Sequence, residues 1–175
     1  MITVFKKRPG DGTSIKAEDY ACSLAGTKYY IATLNAITEE DKARVEKCRN
    51  RRDGKDFVTI EQSSAIVKAI DKIKWMESLL GASEGKKVAL IECLPNLAVN
   101  EVIEEDIPAK DIVNKVLFGL AFLKEYFDDI VIVTDDAPDA INYGGAELIE
   151  DKKEVYDQVM RELNVAVYSY AEQIF

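Results

Sequence analysis

Apolar positions along the chain switch between two spacings, and each switch marks a change from strand to helix. Residues 2–5 are a short apolar run with β-branched members that meets Pro9, Gly10 and Gly12, which reads as a strand entering a turn. Ala17, Tyr20, Ala21, Leu24 and Ala25 then recur at helical spacing, with Thr13 or Ser14 as the cap and Gly26 as the stop. Residues 28–34, Lys-Tyr-Tyr-Ile-Ala-Thr-Leu, read as a second strand. Thr38 followed by Glu39, Glu40 and Asp41 has the layout of a helix N-terminus, and the helix it opens is basic and ends near Arg52 and Gly54.

Residues 57–60 form a brief third strand. Over 63–80 the residues Ile66, Ala69, Ile70, Ile73, Met76, Leu79 and Leu80 make one helical stripe before Gly81. Residues 88–91 are a buried-type strand ending at Glu92, residues 94–102 fit helix or strand equally, and 104–106 are an acidic turn. A long amphipathic helix covers 112–127, and the Ile-Val-Ile-Val-Thr run of 130–134 is the clearest strand in the chain. A loop with Pro138, Gly144 and Gly145 precedes a last helix over 152–173. Strands alternating with helices imply a largely parallel sheet covered on both faces.

With 175 residues, 47% of them hydrophobic, the chain is long enough for one well-buried core, and the expectation is a single α/β domain over 1–175. No apolar run reaches the ~18–20 residues that cross a bilayer, and the N-terminus lacks a signal-peptide layout, so a cytoplasmic protein without membrane contact is expected. A formal charge of -9 argues against non-specific nucleic-acid binding. Cys22, Cys48 and Cys93 form no C-x-x-C pair, which suggests neither a disulfide framework nor a zinc site. The chain has no histidine, so any chemistry rests on other groups.

In such a sheet ligands bind at the carboxyl ends of the strands, which directs attention to the loops after Phe5, Leu34, Ile91 and Thr134. The first, Lys7-Arg-Pro-Gly-Asp-Gly-Thr-Ser14, stands where a phosphate-binding loop G-x-x-x-x-G-K-S/T would stand, with Gly12 and Ser14 matching. Lys7 replaces the first glycine and Thr13 the lysine. Pro9 removes an amide donor and Asp11 adds a negative charge, and an ordinary strand-to-helix turn has the same local pattern. Glu92 is where magnesium would be held in such a site, and Asp135-Asp136 follow the strongest strand, although turn acids look alike. Arg44, Lys47, Arg49, Arg51 and Arg52 suit a phosphate clamp or a solvated helix face, and cations around Cys48 are expected to lower its thiol pKa, although a lone cysteine also reads as a passive small hydrophobe.

These pieces, in this order, resemble the adenosylcobinamide kinase/adenosylcobinamide-phosphate guanylyltransferase family of cobalamin biosynthesis. Against its loop G-G-x-R-S-G-K-S and following A-E, the chain has Gly12, Ser14, Ala17 and Glu18 in place, and Tyr30-Ile-Ala-Thr33 is similar to the family's second strand. Arg44, Arg49, Arg52 and Glu61 fall in register with D-x-E-M-x-x-R-I-x-x-H-R-x-x-R-P and W-R-T-x-E. Glu92-Cys-Leu94 and Asn100 resemble D-C-L-T-x-W-L-x-N, and residues 131–134 resemble V-V-x-V-T-N-E. Tyr156, Arg161, Leu163, Asn164, Ala171 and Glu172 are similar to the family's closing helix.

The resemblance implies a three-layer P-loop NTPase-like (RecA-like) sheet, mostly parallel, with helices on both faces. It implies GTP or ATP with Mg2+ as ligands, a corrinoid as a further substrate, and a homotrimer. It places nucleotide binding at Gly10, Gly12, Thr13, Ser14, Ala32, Thr33, Arg49, Arg52 and Glu61, and the metal at Ser14 and Glu92. Cys48 falls at the position of the family's guanylylated histidine, with Lys47 beside it as a second candidate nucleophile, and Thr13 falls at the loop lysine. Asp135-Asp136 replace Asn-Glu, and the family's last strand is expected to be missing. Two functions stay open: a transferase with altered nucleotide chemistry, and a non-catalytic paralogue that binds a ligand or a partner subunit.

Overall fold

A computed structural model of the chain describes residues 1–7, 12–81, 85–135 and 150–175. Its strands are β1 (Ile2–Lys7), β2 (Thr27–Ala32), β3 (Phe57–Glu61), β4 (Lys87–Ile91), β5 (Asp129–Asp135) and β6 (Gln173–Ile174). The helices are α1 (Thr13–Ser23), α2 (Glu39–Arg52), α3 (Lys68–Leu80), α4 (Leu94–Glu104), α5 (Ala109–Tyr126) and α6 (Lys153–Tyr170). All six strands join one sheet in the order β3-β2-β4-β5-β1-β6, and every pairing is parallel. β5 separates the loop-bearing strand β1 from the acid-ended strand β4, which gives the expected P-loop NTPase-like, RecA-like sheet.

Alternation along the strands sorts the interior into two layers. Ile2, Val4, Tyr29, Ile31, Ala89, Ile91, Ile130 and Ile132 face α3 to α6, and the intervening Phe5, Tyr30, Val88, Leu90, Val131 and Val133 face Ala17 and Ala21 of α1. Both faces of the central strands are dry, which is why β4 and β5 read as continuous apolar runs. The second layer is thin, because α2 buries only Asp41 and Arg52. α2 is instead fixed locally by a capping box, in which Thr38 Oγ1 accepts the Asp41 amide at 3.1 Å and Asp41 Oδ2 accepts the Thr38 amide at 3.1 Å.

Two elements differ from expectation, and a third settles a segment that reads equally as helix or strand. Residues 94–104 form a helix whose Leu94, Leu97, Ala98, Val99 and Val102 are buried together with Asn96, Asn100 and Glu101, and a helix wrapped on all sides has no amphipathic stripe to read. α3 starts at Lys68 rather than at 63, because Glu101 Oε1 accepts the Ala65 amide at 2.6 Å and holds that residue at φ 44°. The last strand is present: Gln173 and Ile174 pair with Thr3 and Val4, and Phe175 stacks on Phe5 with ring centroids 5.0 Å apart.

α1 begins after Gly12, whose φ of 71° suits glycine, rather than with a side-chain cap from Thr13 or Ser14. The Thr13 hydroxyl turns back to the Lys6 carbonyl at 3.5 Å. Pro9, Gly10, Asp11, Asp136, Pro138, Gly144 and Gly145 lie outside the described residues.

Candidate functional site

The carboxyl ends of β2, β3 and β4, roofed by α2, enclose a cleft of about 670 Å³. Six residues singled out from the sequence line it together: Ala32, Cys48, Arg49, Arg52, Glu61 and Glu92. They arrive by two routes. Ala32, Glu61 and Glu92 sit at or just past strand ends, where the ladder stops and side chains turn toward the loops, while Cys48, Arg49 and Arg52 come down from α2.

Cys48 faces Glu92, with Sγ donating to Oε1 at 3.6 Å. Burial, and then the Glu92 charge, push the thiol above its ordinary value, and Arg51 and Arg52 only partly oppose them. The expected lowering of this thiol by neighbouring cations is therefore corrected: the group beside Glu92 is a neutral thiol. Burial drives the Tyr30 hydroxyl upward too, with the Glu92 charge second and Arg52 opposing. The Arg52 guanidinium lies flat over that ring, 3.5 Å from its centroid.

The basic helix divides its cations rather than presenting one clamp. Arg49 donates to Glu61 at the cleft rim. Arg51 turns to the other side and chelates Glu18 of α1, with Nε to Oε1 at 3.1 Å and Nε to Oε2 at 3.2 Å. Lys55 reaches the same carboxylate at 3.2 Å and Asp19 at 2.8 Å. Arg44 approaches Asp41 at 3.9 Å. Lys47 is exposed and is not among the cleft-lining residues.

Thr33 is fully buried beneath the cleft, its hydroxyl donating to the Cys93 carbonyl at 2.8 Å. Gly12, Thr13 and Ser14 lie at the N-terminus of α1, past β1, and do not line the cleft. Gly10 lies outside the described residues. Thr134, next to the end of the strongest strand, donates to Asn164 Oδ1 at 2.7 Å, and Asn164 Nδ2 donates to the Asp135 carbonyl at 2.8 Å, which ties β5 to α6.

The cleft also recruits Tyr30, Gln62, Ser63 and Lys72, which sequence reasoning did not select as site residues. Gln62 had a readable signal, since it follows Glu61 at the carboxyl end of β3. Lys72 and Ser63 had none, because their approach depends on the turn between β3 and α3. Asn100 organises that turn from below, its Nδ2 donating to the Thr33 carbonyl at 2.8 Å and the Ser63 carbonyl at 2.9 Å.

The donor chemistry of Ser14 and Glu92, a hydroxyl and a carboxylate, suits Mg2+, which takes one or two protein oxygens and completes its shell with water and phosphate. No cluster of three or more His, Cys, Asp or Glu able to hold a metal occurs among the described residues. No helix of the described residues is long and apolar enough to cross a membrane.

Comparison with known proteins completes the picture. No curated protein matches the chain. Among solved structures it is similar to an ATPase domain, at 10% identity and a TM-score of 0.47, covering 92% of this chain and 66% of that one, just under two thirds of its length. The profile of the family described as cobinamide kinase / cobinamide phosphate guanyltransferase matches residues 10–144, well over half of the sequence. The chain belongs to that family.

Proposed function

We propose that this protein is a divergent family member that binds a nucleoside triphosphate with Mg2+ in the cleft under α2 and does not carry a covalent nucleotidyl group on position 48. The observation that supports this reading is the contact of Cys48 Sγ with Glu92 Oε1 at 3.6 Å. A thiol is nucleophilic as the thiolate, and burial together with an adjacent carboxylate opposes its formation. Lys47, the other candidate nucleophile, lies outside the lining. Arg52, Arg49 and Glu61 supply binding groups, and Glu92 with Ser14 supplies oxygens to the ion that accompanies the phosphates. A corrinoid as second ligand and a trimeric assembly, suggested by the family likeness, and a cytoplasmic location and a single domain, suggested by length and composition, belong to the same proposal.

The second reading is a ligand-binding or subunit-interaction paralogue without nucleotide chemistry, and it is favoured by Thr13 and Cys48 at the places of the loop lysine and the guanylylated histidine. Calorimetric titration with GTP and ATP in Mg2+, followed by denaturation of protein incubated with α-labelled GTP, separates the readings. Saturable binding below about 1 mM with no retained label is the expected result. Label that survives denaturation defeats the non-covalent proposal, and absence of any nucleotide binding leaves the paralogue reading.

A further inference from the structure

Three polar groups in the cleft wall have no hydrogen-bond partner among the described residues: Gln62 Oε1, Arg52 Nη1 and the Tyr30 hydroxyl. Gln62 and Arg52 are only 8% exposed and Tyr30 1%, and all three line the cleft. A buried donor or acceptor left unpaired costs about 1–3 kcal/mol, so a wall that keeps an acceptor, a donor and a hydroxyl is suited to a ligand that supplies the missing partners.

The orientation of the Gln62 amide follows from its surroundings. Its nitrogen donates to the Ser64 carbonyl, which leaves the carbonyl oxygen as the end without a partner. The turn that carries it is braced by two buried side chains of α4. Asn100 holds the Ser63 carbonyl at 2.9 Å, and Glu101, itself paired with Lys115 at 2.6 Å, holds the Ala65 amide at 2.6 Å. Ala65 stays at φ 44°, a conformation that costs a non-glycine residue about 1 kcal/mol or more and persists only where its surroundings enforce it.

We infer that Gln62 is a specificity-determining residue whose carbonyl oxygen accepts an N–H of a nucleobase, while Arg52 takes an acceptor group of the same nucleotide. This rests on the nucleotide reading above and adds a direction to it. A phosphate, which offers only acceptors, is repelled by the Gln62 carbonyl and matched by the Arg52 guanidinium. The base therefore lies toward the end of β3 and the phosphates toward Arg52.

The test is a calorimetric cycle with three probes in Mg2+: GMP, purine ribonucleoside monophosphate, whose base carries no N–H donor, and pyrophosphate. Wild-type protein binds GMP about tenfold or more tightly than the unsubstituted purine nucleotide. Gln62→Met removes that preference and leaves pyrophosphate affinity unchanged, which also reports that the cleft is still folded. Arg52→Met weakens all three probes. The ligand-side comparison needs only the wild type, so it decides even where a variant fails to fold. Equal affinity of the wild type for the two nucleotides, or a Gln62→Met loss shared by pyrophosphate, overturns the role of Gln62 while leaving nucleotide binding intact. Failure of every probe to bind the wild type overturns the nucleotide reading and this inference with it.

Discussion

The guanidinium of Arg52 stacks on the ring of Tyr30 at 3.5 Å, joining the last turn of α2 to the middle of β2. The contact places a cation, a phenol and, through Tyr30, the Glu92 carboxylate in one coupled group with the half-buried Cys48. The chemistry of each depends on the charge of the others, which makes the group open to direct test.

The Cys48 thiol reacts slowly with iodoacetamide at pH 8, because burial and the Glu92 charge hold it in the protonated form. Glu92→Gln removes the negative charge while Arg51 and Arg52 stay, so the thiol pKa falls and alkylation at fixed pH accelerates several-fold. Stopped-time alkylation followed by mass spectrometry reads the rate, and an unchanged or slower rate in the variant contradicts the assigned electrostatics.

Cys93 gives a stability signature at alkaline pH. Burial pushes its thiol from the ordinary 9.0 up to about 12. Above pH 9 the unfolded chain releases this proton and the folded chain keeps it, so stability falls by about 1.4 kcal/mol per pH unit until the folded value is reached. The contribution is whole below pH 9 and is lost as pH rises toward 12. Urea unfolding at pH 8 and pH 10.5 shows a steeper loss for the wild type than for Cys93→Ala, and parallel curves refute the assignment.

Glu18 is 1% exposed and is bound by both Arg51 and Lys55, so it fastens α1 to the otherwise polar α2. Glu18→Ala destabilises the fold by about 1–3 kcal/mol, less than the ~3–5 kcal/mol of a fully buried pair, because the two cations keep contact with water. Chemical denaturation monitored by circular dichroism measures it, and a change under about 0.5 kcal/mol means that the cluster is ornamental to stability.

Asn100 serves two loops with one amide group. Asn100→Ala strips hydrogen bonds from the Thr33 and Ser63 carbonyls and costs about 2–4 kcal/mol, and Asn100→Asp costs more because its carboxylate faces those oxygens. Unfolding midpoints of the two variants give the comparison, and Asp tolerated better than Ala is the result that rules it out.

Much of this architecture is legible without coordinates, for reasons that differ by element. β5 announces itself because a strand dry on both faces is an unbroken β-branched run, and α2 does so because Thr38 and Asp41 write its start in capping chemistry. α4 is silent for the opposite reason, since its buried Asn96, Asn100 and Glu101 look polar in sequence, and the partners of Asn100 and Glu101 are ones that only the fold supplies. The site divides in the same way. Strand-end residues such as Glu61 and Glu92 are foreseeable from parallel topology, whereas the separate directions taken by Arg49, Arg51 and Arg52 depend on helix phase against neighbours not adjacent in sequence. The inverted expectation for Cys48 has that cause: proximity along the helix counted the cations, and space added the carboxylate of a strand 44 residues away.

The register of β1 carries a consequence for how the chain reaches this state. Ile2 pairs with Ile130 and Thr3 with Gln173, so β1 is made well before either of its neighbours. The β3-β2-β4 half of the sheet needs only residues up to Ile91 and is free to assemble early. β1 must wait, its apolar face without partners, until β5 is synthesised and slots between it and β4. Such long-range closure favours slow folding and a partly formed intermediate exposed to association, which makes the N-terminal strand the segment a chaperone would have most reason to hold.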